Sequence, residues 1–220
     1  MEPTKIPRFK ICCIQTIEEA WLAIHYGASA LGLVSEMPSG PGVISEDLIG
    51  QIAAIVPPAV TTFLLTSKTD IKEIINQQRR CGVNAIQICD RLQTGSYQDL
   101  KKALPGIAIV QVIHVIGEES IDEALLVAPY VDGILLDSGD QSLIVKELGG
   151  TGRTHDWSIS RRIRELVHIP IFLAGGLNHD NITRAIQEVQ PFGVDVCSGV
   201  RINGKLDEAK LARFVKRVDL

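Results

Sequence analysis

From Phe9 onward, short runs of β-branched and aliphatic residues alternate with longer stretches whose apolar positions recur at helical spacing. Eight such pairs can be counted, with strand candidates at 9–14, 29–34, 59–65, 84–89, 107–115, 131–137, 170–174 and 192–197. Between them, 17–26, 46–55, 70–81, 96–104, 119–128, 158–167, 180–188 and 207–217 carry helical periodicity, as in Ile71, Ile74 and Ile75 or Ile121, Ala124 and Leu125. Thr16 and Asp180 offer capping oxygens ahead of two of the helices, and Gly27 and Gly82 stand where left-handed stops are expected. Strands that are apolar nearly throughout, such as Val60-Thr61-Thr62-Phe63-Leu64-Leu65, suit a parallel sheet covered by helices. The pattern predicts an α/β fold, an eight-stranded parallel (β/α)8 TIM barrel with residues 1–220 as one domain. A doubly wound open sheet is the competitor, and it does not account for the glycine signals that close the last two units.

Two connections are longer than a turn needs. Residues 35–45 hold Pro38, Gly40, Pro41 and Gly42, and residues 138–157 hold Gly139, Gly149, Gly150 and Gly152. They follow the second and sixth strands, so in a barrel both hang over the mouth at the carboxyl ends of the strands.

Strand seven ends in Ala174-Gly175-Gly176-Leu177 and strand eight in Cys197-Ser198-Gly199-Val200. Glycines there let backbone N–H groups approach an anion, and Ser198 adds a hydroxyl. Either signal alone is as well explained by a tight turn. Two in consecutive terminal units favour a phosphate cradle built from Gly175, Gly176, Ser198 and Gly199.

Composition narrows the partners. With 22% charged residues, a net charge of -4 and basic residues scattered along the chain, no nucleic-acid footprint is present. The five cysteines are odd in number and none forms a C-x-x-C pair, which argues against a structural metal and for a reducing compartment. No stretch approaches the roughly 18 apolar residues of a spanning helix, and the amino end shows no apolar run after its positive charge. The expectation is a cytoplasmic monomer or homodimer that takes a phosphorylated small molecule, without nucleic acid, membrane or metal.

Five segments in register resemble the phosphoribosylanthranilate isomerase family: Lys10-Ile11-Cys12; Leu135-Leu136-Asp137; Gly149-Gly150-Thr151-Gly152 with Asp156-Trp157; Ala174-Gly175-Gly176-Leu177-Asn178; and Val194-Asp195-Val196-Cys197-Ser198-Gly199-Val200. The resemblance runs along almost the whole chain. It implies a cofactor-free Amadori rearrangement of an aminoaldose phosphate to an aminoketose phosphate, of the tryptophan-biosynthesis type. It further implies that Cys12 takes the proton from the sugar carbon beside the imine and that Asp137 protonates the ring oxygen. Lys10, Gln87, Gly150, Gly152 and Asp195 then join the cradle as substrate or phosphate contacts. Strand parity puts Lys10 and Cys12 on one face, and a thiol base needs a positive neighbour, for which Lys10 is the candidate. An acid at Asp137 needs the opposite, a setting that keeps it protonated.

The chain departs from the family's pattern at several points. Cys13 replaces a glycine and Gln15 a threonine in the first motif; in the fourth strand Gln87-Ile88-Cys89-Asp90 keeps the glutamine but loses a histidine. The loop after strand two, Met37 to Ile44, has no basic residue where the family presents an arginine to the substrate carboxylate. Such a charge-assisted pair is worth about 1.5–3 kcal/mol. Arg153, His155 and Arg201 are the candidates to bring positive charge from elsewhere. His114 and His179 are further candidates, though a lone histidine is more often structural. Two alternatives stay open: an isomerase of a sugar phosphate without the aromatic carboxylate, and a non-catalytic barrel that binds a phosphorylated ligand.

Overall fold

The computed structural model describes residues 6–139, 146–150 and 152–218. Eight parallel strands close on themselves: β1 (Arg8–Ile11), β2 (Ala30–Val34), β3 (Thr61–Thr66), β4 (Ala85–Ile88), β5 (Ala108–His114), β6 (Gly133–Asp137), β7 (Ile171–Leu173) and β8 (Gly193–Val196). β8 pairs in parallel with β1, from Arg8 opposite Gly193 to Ile11 opposite Val196, which excludes the open sheet. The helices between them are α1 (Ile17–His25), α2 (Glu46–Ile55), α3 (Ile71–Cys81), α4 (Tyr97–Ala103), α5 (Glu119–Val127), α6 (Trp157–Leu166) and α7 (Ile182–Val189), with α8 (Glu208–Val218) last.

Alternation along each strand separates two cores. Outward positions such as Ile11, Leu31, Leu33, Leu64, Ile86, Ile134 and Val194 pack against the apolar stripes of the helices. Truncating one of these to alanine would cost about 2–5 kcal/mol. Inward positions Phe63, Leu65, Ala85, Val110, Val112 and Leu135 fill the barrel itself. Lys10, Gln87 and Asp195 share that inner face and are buried.

Local chemistry explains most boundaries. Thr16 caps α1 by accepting from the Glu19 N–H, and Gly82 ends α3 in the left-handed conformation. Asp180 is not the cap of α7; Asn181 holds that position, because Asn178 Oδ1 accepts from the Asp180 N–H and winds the turn one residue further. β1 stops at Ile11, short of the expected residue 14, because Cys13 has φ 62° and turns the chain out of the ladder. A hairpin of β9 (Arg201–Ile202) and β10 (Lys205–Leu206) follows β8 and was not expected. Its turn, Asn203-Gly204 with φ 49° and 78°, is a recognisable two-residue hairpin signal. No helix among the described residues is long and apolar enough to cross a membrane.

Candidate active site

The loops after β2 and β6 meet over the carboxyl ends of the strands. Ser39 Oγ donates to the Lys146 carbonyl at 2.6 Å, and a Cβ on Gly150 would come within 2.6 Å of the Pro41 ring. Beneath them lies a cleft of about 660 Å³, including its opening to solvent. Thr151 and residues 140–145 of the second loop lie outside the described residues.

Nine of the residues singled out from the sequence line this one cleft: Cys12, Gln87, Asp137, Gly150, Gly152, Gly175, Gly176, Asp195 and Ser198. Cys12 leaves the end of β1 and Asp137 ends β6, so strand parity and the barrel's closure bring thiol and carboxyl to one mouth. Asp137 Oδ1 accepts from the Ser138 N–H at 2.7 Å. Its Oδ2 sits 2.7 Å from where a Cβ on Gly149 would stand, so only a glycine at φ 131° lets that loop come so close.

Behind the lining, Lys10 is 1% exposed and forms a 2.8 Å ion pair with Asp195. Its Nζ also lies 3.6 Å from Cys12 Sγ and above the ring of Phe63. Burial works against the charge on Lys10, but Asp195 and Cys12 outweigh it and hold the ammonium above the ordinary lysine range. Burial raises the Asp195 carboxyl more than Lys10 lowers it. These two directions pull the pair's proton opposite ways. The 2.8 Å contact and the retained charge on Lys10 favour the ionised pair.

Asp195 Oδ1 and Gln87 Oε1 are buried and have no hydrogen-bond partner among the described residues. Both residues line the cleft, where unmet acceptors suit donors on a hydroxylated ligand. Burial pushes the Cys89 thiol far up, so that sulfur is an apolar wall of the cleft.

The remaining expectations fare differently. Gly199 stands behind the lining: a Cβ there would come 2.0 Å from the Leu177 carbonyl, so the glycine lets the turns after β7 and β8 touch. Arg201 does not reach the cleft. It is buried and pairs with Glu19 at 3.0 Å, and its Nη2 donates to the Cys12 carbonyl at 3.2 Å and to the Cys13 carbonyl. The hairpin turns it inward, away from the expected anion, and its Nη1 also donates to the Gly204 carbonyl. Arg153 lies outside the cleft lining as well, exposed and ion-paired with Glu147. Burial brings His155 down to about 4, against the pull of Asp137 and Asp156, so its ring is neutral at pH 7 and supplies no positive charge. His114 packs its Nε2 3.1 Å from the Cys89 carbonyl, and His179 Nε2 lies 3.4 Å from Asp180.

Sequence reasoning missed Gly32. A Cβ on it would fall 2.8 Å from Cys12 Sγ and 3.0 Å from Lys10 Nζ, so the thiol and ammonium occupy the space this glycine leaves. A lone glycine inside an apolar strand is the signal for such a close approach. Cys13, which the sequence shows as a departure from the family's glycine, and Cys197, which opens the turn after β8, are also in the lining.

The family model for N-(5'-phosphoribosyl)anthranilate isomerase matches residues 9–217. N-(5'-phosphoribosyl)anthranilate isomerase 2 of Methanosarcina mazei is 37% identical over 212 residues, which cover 96% of this chain and 93% of the relative. The isomerase of Methanothrix thermoacetophila is 34% identical over 96% of this chain and 97% of its own. Among solved structures, the isomerase of Thermotoga maritima superposes with a TM-score of 0.80 at 30% identity, covering 97% of this chain and 99% of that one. A second isomerase structure, at TM-score 0.77 and 28% identity over 97% of this chain and 99% of that one, is a complex with reduced 1-(o-carboxyphenylamino)-1-deoxyribulose 5-phosphate.

Proposed function

The chain belongs to the N-(5'-phosphoribosyl)anthranilate isomerase family, and from that premise we propose that it converts phosphoribosylanthranilate into the corresponding aminoketose phosphate, with Cys12 as base and Asp137 as acid. The observation that carries this reading is the shared cleft: thiol, carboxyl and the glycine turns after β7 and β8 face one space.

In this reading the phosphate rests on the turns at Gly175, Gly176 and Ser198. Asp137 gives its proton to the furanose ring oxygen as the bond from that oxygen to C1 breaks, leaving a protonated imine. Cys12 takes the proton from C2, and the electron pair released closes the enamine that ketonises to product. Lys10, 3.6 Å from the sulfur, sets positive charge beside the group that must carry negative charge. Asp195 and Gln87 offer their unmet oxygens to the sugar hydroxyls. The ligand of a related isomerase's structure, reduced 1-(o-carboxyphenylamino)-1-deoxyribulose 5-phosphate, is a phosphorylated sugar of the class this reading assigns to the cleft.

The test is turnover of freshly prepared phosphoribosylanthranilate, followed by fluorescence. Cys12→Ala and Asp137→Asn are each expected to lower kcat by at least about a hundredfold, the contribution of a positioned acid or base. Turnover undisturbed by either change would refute the assignment. A second reading, an isomerase of a sugar phosphate without the aromatic carboxylate, is favoured by one observation: no lysine or arginine is among the described residues lining the cleft. Faster turnover of such a substrate than of phosphoribosylanthranilate would decide for it.

A further inference from the structure

We propose that Cys13 and Cys197 are a redox modification site: they close into a reversible disulfide that ties the turn bearing Cys12 to the turn after β8 and switches the cleft off.

The two sulfurs lie 2.7 Å apart, and none of the five cysteines is in a disulfide. Shortening that gap to a bond of about 2.0 Å needs a movement of about 0.7 Å. The pairing follows from the barrel's closure, since β1 and β8 are neighbours in register, with Ile11 opposite Val196. Cys12, one residue past β1, still donates its N–H to the carbonyl of Val196, the last residue of β8, at 2.9 Å, and Cys13 and Cys197 are the next residue on each side.

Cys13 has little freedom to point elsewhere. It holds φ 62°, a left-handed conformation rare for a side-chain-bearing residue. Arg201 grips its carbonyl and that of Cys12. A Cβ on Gly42 would come 2.4 Å from the Cys13 Cβ, so the loop after β2 closes over its other side. Cys197 is the more exposed of the pair, and a small disulfide reaches it first. The hydrogen bond between the two sulfurs, with Arg201 nearby, holds the Cys197 thiol below its ordinary value, while Cys13 is raised by its contacts with Cys12 and Cys197 and by burial. Cys197 is therefore the attacking sulfur and Cys13 the resolving one.

The chemistry balances with a low-molecular-weight disulfide as oxidant. The Cys197 thiolate attacks one of its sulfurs, forms a mixed disulfide and expels one thiolate. Cys13, losing its proton, attacks Cys197 Sγ and expels the second. The two protein thiols give up two electrons and two protons, and the oxidant becomes two free thiols. Both sulfurs line the cleft beside Cys12 and Ser198, so the bond draws together the turns that carry the proposed base and part of the phosphate cradle.

The bond itself is independent of the proposed isomerisation; its effect on turnover rests on that reading. The experiment treats reduced protein with oxidised glutathione, alkylates what remains, and maps peptides by tandem mass spectrometry. It is expected to show a Cys13–Cys197 cross-link and at least a tenfold fall in turnover that dithiothreitol restores. The rise in melting temperature given by inorganic phosphate should shrink in the oxidised form, a readout that needs no turnover. Cys197→Ser, which lacks the attacking sulfur, should keep through the same treatment the activity it shows when reduced, whereas Cys13→Gly, which suits φ 62°, should stop at a glutathione adduct on Cys197 that the peptide map reads. A bond mapped to Cys12, no bond at all, an unchanged phosphate response, or inactivation of Cys197→Ser as deep as the parent's would overturn the proposal. Reduced protein that never turns over phosphoribosylanthranilate would sink the isomerase reading alone, with the cross-link and the phosphate response still deciding this one.

Discussion

Lys10 Nζ lies 2.8 Å from Asp195 Oδ2 and 3.6 Å from Cys12 Sγ, so one buried ammonium joins a carboxylate of β8 to the thiol at the end of β1. Lys10→Met removes the charge and keeps the length of the side chain. It leaves Asp195 buried without its partner, which costs about 3–5 kcal/mol of stability. Turnover should fall with kcat rather than KM, because the lost charge acts on the sulfur and not on the ligand. Chemical denaturation and steady-state kinetics on the folded variant check both halves; a variant as stable as the parent with unchanged kcat would remove Lys10 from the mechanism.

Gly32→Ala places a methyl 2.8 Å from Cys12 Sγ and 3.1 Å from Cys12 Cα. The backbone atom cannot yield as a flexible side-chain end can, so the substitution costs about 1–3 kcal/mol as overpacking and displaces the thiol. Loss of activity should exceed what the fall in melting temperature explains. Full activity in Gly32→Ala would show that the space is not needed.

Most of the architecture was legible because two periods, 2 and 3.6, sort residues by face. Parity alone puts Lys10 and Cys12 on one face of β1; the structure shows that face to be the barrel interior, shared with Gln87 and Asp195, while Ile11, Leu64 and Val194 face the helices. The lining of the candidate site was legible where identity matters more than neighbours: Cys12, Asp137 and the glycine turns border one cleft. What failed were partners across the closure. Arg201 and Glu19 are 182 positions apart, and only the hairpin after β8 shows that the guanidinium turns toward α1 and away from the anion. The Cys13–Cys197 approach was hidden for the same reason: each is an ordinary cysteine until β8 is laid against β1.

Arg201 therefore makes a prediction opposite to that of an anion contact. Arg201→Gln breaks a mostly buried ion pair with Glu19 and frees the Cys12 and Cys13 carbonyls. Stability should drop by about 3–5 kcal/mol. The Kd for inorganic phosphate, measured on folded protein, should change less than about threefold, under 1 kcal/mol. A tenfold weaker Kd with little loss of stability would return Arg201 to the cradle.

His155 predicts the acid limit of the fold. Its Nε2 lies 2.6 Å from Ser160 Oγ, and burial lowers it from 6.5 to about 4. Between those two values the unfolded chain binds a proton that the folded ring refuses, so stability rises with pH across the window. The contribution is whole above about pH 6.5 and is lost progressively as the pH falls to about 4. With allowance for its partial exposure, the loss amounts to about 2–3 kcal/mol. His155→Gln keeps a polar side chain without the titration. Denaturant unfolding of parent and variant at several pH values isolates the effect, since the carboxylates common to both cancel in the difference. The gap between them should shift against the parent by about 2 kcal/mol between pH 7 and pH 4.5. Parallel curves would mean that the imidazole accepts its proton in the folded state as readily as in the unfolded chain.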